Sequence, residues 1–300
     1  MGGTATPDLA VAVADAGALG MLGMLSAAPD EVADVLDVMA TRTSGAFGIN
    51  FLMPFLDLAA VTAAASRARV VEFFYGDPDP ALVELAHAGG ALVSWQVGSV
   101  DEGRRAADAG CDLVVVQGIE AGGHVRGQMG LLPLLDQVLD VVAIPVLAAG
   151  GIATARSVAA VLAAGAAGAR LGTRFVATEE ADTHPAYVAA LLAAEPEDTV
   201  LGTTFSVIWP DAPHRVLRSC VAAAERIDDD LVGEVELPSG ARVPVHRLSP
   251  LSPGRRTTGN IEAMALYAGQ SVGAVRRVER AGDVVRELAS GLDELLAAAT

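Results

Sequence analysis

The sequence predicts an α/β fold of the (β/α)8 TIM-barrel type, on three observations. β-rich runs recur along the first 174 residues, each followed by an Ala- and Leu-rich helical stretch, and their starts lie 21–32 residues apart. That is the length of one strand plus one crossover helix, so the strands are expected to be parallel and the connections right-handed. Glycines and polar side chains gather where the runs end, at Asn50, Gln117, Gly122–His124, Gly150–Gly151 and Gly172–Thr173, as in barrels, whose strand C-termini carry the chemistry. No GxGxxG turn follows an early strand, which argues against a doubly wound sheet.

Taken in order, a helix over 7–16 opens the chain. The strand runs are 19–25 (LGMLGML), 46–52 (AFGINFL), 70–75 (VVEFFY), 91–97 (ALVSWQV), 112–117 (DLVVVQ), 144–149 (IPVLAA) and 168–174 (GARLGTR). Helices fill the gaps, among them 29–40, 79–88, 99–109 and 154–164. Seven strands are counted where a barrel has eight; the one preceding helix 7–16 is missing. After residue 176 the rhythm breaks. A helix at 183–194 leads into a Pro-, Gly- and Thr-containing stretch, 199–261, in which "EVELPSGARVPVHR" reads as a hairpin. Regular helix is expected again over 262–300. The division is therefore a barrel domain of 1–198 and 262–300, with 199–261 as an appended substrate-side subdomain.

Composition excludes several classes of function. The net charge is −17, which argues against nucleic acid and anionic membrane surfaces. All 20 basic residues are arginines, so Schiff-base chemistry, PLP anchoring and a Walker lysine are ruled out. Cys111 and Cys220 have neither metal-ligand spacing nor the look of a disulfide framework. No apolar run reaches the ~20 residues of a membrane span, and no secretory signal is visible. A cytoplasmic protein is the default expectation. "MGGTAT" fits a myristoylation pattern and is read as a chance match.

The loops after the last two barrel strands read "AAGGIATARS" and "LGTRF". Gly150 and Gly151 let backbone approach an anion, Thr154 can cap the next helix, and Gly172 and Thr173 add amides and a hydroxyl. A phosphorylated ligand is expected there, though phosphosugar enzymes and flavoproteins share this signal. His124 follows two glycines at the end of a buried strand. Imidazole titrates near neutrality and can take the proton of a carbon acid; hydrogen bonding within its own loop is the alternative. Asn50 and Gln117 can equally serve as turn and loop residues, and Gln270 as a helix start. His87 is expected at the surface. His184, His214 and His246 are expected to be structural, with His214 the one candidate for a substrate-side contact.

Together, "TPDLAVAVADAGALGMLG", "FGINFL", "VVVQGIEAGGHVRG", "IPVLAAGGIATARSVAAVLAAGAAGARLGTRF" and "YAGQSVG" resemble the nitronate monooxygenase (2-nitropropane dioxygenase-like) family of FMN-dependent TIM barrels. The resemblance implies that Asn50 bonds the flavin ring and Gln117 its pyrimidine edge or ribityl chain. It implies that Gly122 gives backbone clearance beside the flavin, and that Gly151, Gly172 and Thr173 hold the phosphate. Leu171 belongs to the same cofactor-binding segment, and Gln270 lies near the cofactor. Arg170 stands where family members often carry glutamine; it can reach the phosphate or a carboxylate, or face the helices. His124 would be the general base that deprotonates a nitroalkane, the nitronate then being oxidised by FMN with O2 as terminal oxidant. The partners implied are a small-molecule substrate and O2, with a homodimer as an admissible assembly. Rival readings are an FMN-dependent NAD(P)H:quinone or enoyl-thioester reductase, a flavin-free phosphosugar-binding barrel, and a non-enzymatic FMN-binding paralogue. In the family a first strand leads into an Ala-Pro-Met sequence just before "TP.LA". Met1 stands at that methionine, so the natural product is expected to begin upstream of it.

Overall fold

Thr6 caps the first helix, α1 (Pro7–Asp15), by accepting the Leu9 amide at 3.0 Å, with Pro7 in the first turn. This satisfies one orphan N–H and presets φ. The computed structural model describes residues 2–24, 27–237 and 240–298. Strands and helices then alternate: β1 (Gly20–Met24), α2 (Pro29–Arg42), β2 (Phe47–Leu52), α3 (Leu58–Ala65), β3 (Val70–Phe74), α4 (Pro80–Ala88), β4 (Leu92–Val97), α5 (Val100–Asp108) and β5 (Leu113–Gln117). A two-residue β6 (Gly123–His124) is followed by α6 (Leu131–Leu139), β7 (Val146–Ala149), α7 (Ala155–Ala163), β8 (Gly168–Arg170) and the single-turn α8 (Thr173–Val176).

β1 to β5, β7 and β8 form one seven-stranded parallel sheet in sequence order, the curled α/β architecture of the TIM-barrel class. Every residue of β3 is buried, as expected for strands covered on both faces. The first six runs end or begin within two residues of the predicted bounds; Leu25 and Met1 lie outside the described residues. The seventh run, predicted over 168–174, stops at Arg170. Gly172 (φ −122°, ψ −67°) turns the backbone, and its carbonyl accepts from the Phe175 amide at 2.8 Å. Thr173 and Arg174 are therefore helical.

The remaining elements are α9 (Pro185–Ala193), β9 (Thr199–Gly202), β10 (His214–Leu217), α10 (Arg218–Glu225), β11 (Leu231–Glu236), β12 (Arg242–His246), β13 (Thr257–Gly259) and α11 (Ala281–Ala298). The predicted hairpin is present: β11 and β12 pair antiparallel with Glu236 opposite Arg242, while its turn residues Pro238 and Ser239 lie outside the described residues. Continuous helix over 262–300 is not found. Two short 3-10 turns, Ile261–Ala263 and Gln270–Ala274, precede α11, and 299–300 lie outside the described residues. The segment is held extended because its backbone serves other strands. The Leu217 amide donates to Leu266 O at 2.8 Å, and Ala268 N to Arg215 O at 3.3 Å. Tertiary pairing here overrides an Ala-rich composition.

Two apolar cores result. The larger lies between the sheet and its helices; the second gathers Val176, Tyr187, Leu191, Phe205, Val216 and Leu266. Arg174, 7% exposed, joins the loop after β7 to α11: it donates to Ala153 O and pairs with Glu279 and Glu287. Among the described residues no helix is long and apolar enough to cross a membrane.

Candidate active site

The segment after β5 is positioned by its own strand and by a neighbouring one. Gln117 is buried; its Nε2 donates to His124 O at 3.0 Å and its Oε1 accepts from Arg126 N at 3.4 Å. β6 pairs antiparallel with β10, placing His124 opposite His214, and the Val125 amide donates to Pro213 O at 2.8 Å. His214 is fully buried. Its Nε2 accepts from Phe205 N at 3.0 Å, so Nδ1 carries the proton and donates to Ala212 O at 2.9 Å. The structure thus makes His214 a neutral brace for the strand carrying His124.

The His124 ring sits in an aromatic enclosure. Trp209 stacks on it at 4.0 Å, His214 lies at 5.3 Å, Tyr267 at 5.7 Å, and Tyr75 meets it edge-on at 6.0 Å. Its Nε2 is buried with no hydrogen-bond partner among the described residues, an arrangement that ordinarily requires a ligand or water. Burial, with the imidazole of His214 adding to it, pushes the His124 pKa down to about 3, so the ring is neutral at physiological pH.

Gly122 is packed against the chain's own backbone. A Cβ there would lie 2.4 Å from Gly269 N and 2.7 Å from Ala268 C, so the clearance admits the backbone at 268–269. That segment is drawn in by the Gly269 amide, which donates to Thr173 Oγ1 at 3.0 Å, and by Gln270 N, which donates to Glu120 O at 2.9 Å. Gln270 is joined to the loop through its backbone, and its side chain is exposed.

Gly150 and Gly151 have φ +104° and +70°, conformations glycine adopts without strain. Thr154 caps α7, accepting from Ser157 N at 3.2 Å. The amides of Gly151, Ile152, Gly172 and Thr173 donate to no protein acceptor among the described residues. These four N–H groups follow β7 and β8, which are adjacent in the sheet. Leu171 between them is half-buried against the main core.

Beneath this rim lies a polar network inside the sheet. Asn50, Glu72 and Ser94 face each other across β2, β3 and β4. Asn50 Nδ2 donates to Glu72 Oε1 at 2.8 Å, Ser94 Oγ donates to Oε2 at 3.3 Å, and Arg170 Nη1 donates to Glu72 Oε1 and, at 2.9 Å, to Gln96 Oε1. Arg170 thus reaches a carboxylate, that of Glu72. Asn50 keeps its Oδ1 for another partner, its amide being committed to Glu72. Sequence reasoning missed Glu72, Gln96 and Trp209. A lone charge inside the apolar run "VVEFF" and one of only two tryptophans were the available signals. Of the other histidines, His87 bonds Asp112 at 2.8 Å, His246 bonds Asp230 at 3.0 Å, and His184 accepts from Ala186 N at 3.1 Å.

A parallel sheet in β/α order, with unpaired amides after two adjacent strands and a buried histidine beyond a third, places the chain in the (β/α)8 fold class, with its candidate site at the strand C-termini. The chain belongs to the nitronate monooxygenase family, whose family model matches residues 58–291. It is 36% identical over 257 residues to the "Putative monooxygenase Rv1533" of Mycobacterium tuberculosis, covering 82% of this chain and 65% of that protein. It is also 36% identical over 220 residues to a (3aS,4S,5R,7aS)-5-hydroxy-7a-methyl-1-oxo-octahydro-1H-indene-4-carboxyl-CoA dehydrogenase of Rhodococcus jostii, covering 73% and 61%. The chain thus spans less than two thirds of the length of these curated relatives. Among solved structures, the nitroalkane oxidase of Streptomyces ansochromogenes superposes with a TM-score of 0.82 at 29% identity, covering 100% of this chain and 95% of that one.

Proposed function

We propose that the chain binds one FMN and oxidises small alkyl nitronates and nitroalkanes with O2, His124 taking the substrate proton. The observation that carries this reading is the buried, unpartnered Nε2 of a neutral His124 beside an unfilled set of amide donors. Both features fit a phosphorylated flavin with a carbon acid against it. Gly151, Gly172 and Thr173 would hold the phosphate dianion through backbone N–H groups. Arg170, Leu171, Asn50, Gln117 and Gln270 would lie along the rest of the cofactor, with Gly122 contributing through the backbone it admits. FMN, when bound, supplies the electron acceptor for the deprotonated carbon and passes electrons to O2. His124 is uncharged, so its lone pair is available, and the Trp209, Tyr75 and Tyr267 rings exclude water from it. The same burial makes the imidazolium costly, so proton transfer relies on its close attraction to the carbanion formed beside it. Residues 199–261 are assigned to the substrate side, since Trp209 and His214 belong to them. A cytoplasmic location and a homodimer complete the proposal.

A second reading, redox chemistry on a coenzyme A thioester, is favoured by the name of the Rhodococcus jostii relative. One set of assays separates them. The purified protein is expected to release FMN on denaturation and to consume O2 with a nitronate in the absence of nicotinamide. His124→Asn is expected to lose about 10²–10⁴-fold on neutral nitroalkanes and far less on preformed nitronates. NAD(P)H oxidation with a quinone or enoyl thioester, and no nitronate turnover, would replace the first reading. Absence of flavin would return the chain to the phosphosugar class.

A further inference from the structure

Trp209 lies on the loop between β9 and β10, beyond the reach of the barrel strands. Its neighbours Val207 and Ile208 are 57% and 51% exposed, whereas Trp209 is 8% exposed. The loop therefore turns this one side chain inward. The indole stacks on His124 with 22° between the planes. It is held by two further rings: Phe55 meets it edge-on at 5.4 Å and Tyr75 at 4.6 Å. Tyr75 itself sits at φ 67°, a conformation that bulky side chains rarely adopt and that surrounding contacts must impose.

We infer that Trp209 is a positioning residue for His124: its indole fixes the plane of the imidazole and keeps water off that face, holding His124 as an uncharged proton acceptor. The inference rests on the reading of His124 as a base. Among the described residues the titratable groups facing the imidazole are His214 from β10, Tyr267 from the strand-like segment beside it, and Tyr75 after β3; the positive charge of the N-terminus also opposes protonation of the ring. Arg126 lies over the Tyr75 ring at 5.8 Å and is itself paired with Glu102 and Asp77. Among the described residues no carboxylate is recorded in contact with the His124 ring. Hydration at the ring nitrogens and the aromatic faces themselves are then what could stabilise an imidazolium, and the indole helps enclose the ring against hydration. Burial is the largest cause holding the His124 pKa down, and this ring supplies part of that burial.

The test is an NMR titration of the histidine rings in the flavin-loaded protein and in Trp209→Ala and Trp209→Phe. The unsubstituted protein is expected to keep His124 neutral down to about pH 5. Trp209→Ala is expected to raise the titration midpoint by at least about one unit, a tenfold change in proton affinity, toward the ordinary histidine value. Trp209→Phe, which restores a flat apolar ring, should recover most of the difference. The acid limb of kcat/KM should move upward with the midpoint. If Trp209→Ala does not fold, Trp209→Gln serves in its place, since its amide keeps bulk but binds water. A midpoint unchanged in the alanine or glutamine variant, or one that phenylalanine leaves as high as alanine does, overturns the inference. A midpoint that responds as stated while His124→Asn retains nitroalkane turnover would uphold the Trp209 contact and overturn the base assignment.

Discussion

Exchanging Arg170 for glutamine leaves the Glu72 carboxylate buried without its cation. The Glu72 side chain is 3% exposed, and the donors remaining to it are Asn50 Nδ2 at 2.8 Å and Ser94 Oγ at 3.3 Å. Breaking a buried pair from one side costs about 3–5 kcal/mol. Two surviving neutral donors place this case at the lower end, about 3 kcal/mol. The reciprocal Glu72→Gln is milder, because the Arg170 side chain is 25% exposed and keeps part of its hydration; about 1–2 kcal/mol is expected. Changing both residues to glutamine removes both charges and keeps amides that can bond each other, so the double variant should be more stable than Arg170→Gln alone. The coupling energy from the four-protein cycle is then about 2 kcal/mol. An unfolding entropy of about 2.1 cal/mol/K per residue gives about 0.6 kcal/mol/K for 300 residues, so a 3 kcal/mol loss lowers Tm by about 5 °C. Differential scanning calorimetry of the four proteins at equal flavin occupancy reads this directly. Strictly additive single effects, or an Arg170→Gln protein melting with the original, would refute the reasoning.

Three further outcomes are expected. Gly122→Ala drives a Cβ to within 2.4 Å of the Gly269 amide nitrogen, a contact only backbone movement relieves. About 1–3 kcal/mol of stability should be lost, and amide exchange should accelerate at Gly269 and Gln270; unchanged exchange would disprove the contact. Gly151→Asp places a side chain where φ is +70° and adds negative charge beside the unpaired amides, so bound FMN should be lost; stoichiometric flavin in that variant would remove the phosphate from this site. The third concerns pH. The folded-state pKa of His124 is lowered to about 3 against an unfolded value of about 6.5, so the unfolded chain binds the extra proton. This contribution to stability is full above about pH 6.5 and falls as pH drops toward 3, by about 1.4 kcal/mol per unit. Denaturant unfolding at pH 7.5 and pH 5 should show about 2 kcal/mol attributable to this residue, absent in His124→Asn; equal slopes for the two proteins would contradict the burial of the ring.

The strand–helix alternation was legible because it depends on short-range pattern: β-branched runs such as "LVVVQ" and helices entered at Thr154 or Pro80 specify themselves within a few residues. The family resemblance was legible for the same reason, its motifs being contiguous segments at strand ends. The placement of Gln117, His124, Gly151 and Thr173 at those ends followed from the fold class alone. The segment 262–280 was misread as helix because its composition favours helix, while its conformation is set by backbone partners in β10 and at Glu120.

What remained to the tertiary structure was how separate loops meet. Glu72 and Arg170 are 98 residues apart, and neither residue type implies the other until the sheet curls them onto one interior surface. Trp209 reaches His124 only because β6 and β10 pair and bring their loops together. Gly122 is used by Ala268–Gly269, a neighbour no local pattern announces. The sequence by itself determined the α/β scaffold, the glycine-rich turns after β7 and β8, and the position of the candidate base. Three-dimensional packing decided the charge state of that base and the side chains that surround it, because desolvation and ion pairing depend on which distant groups share a volume.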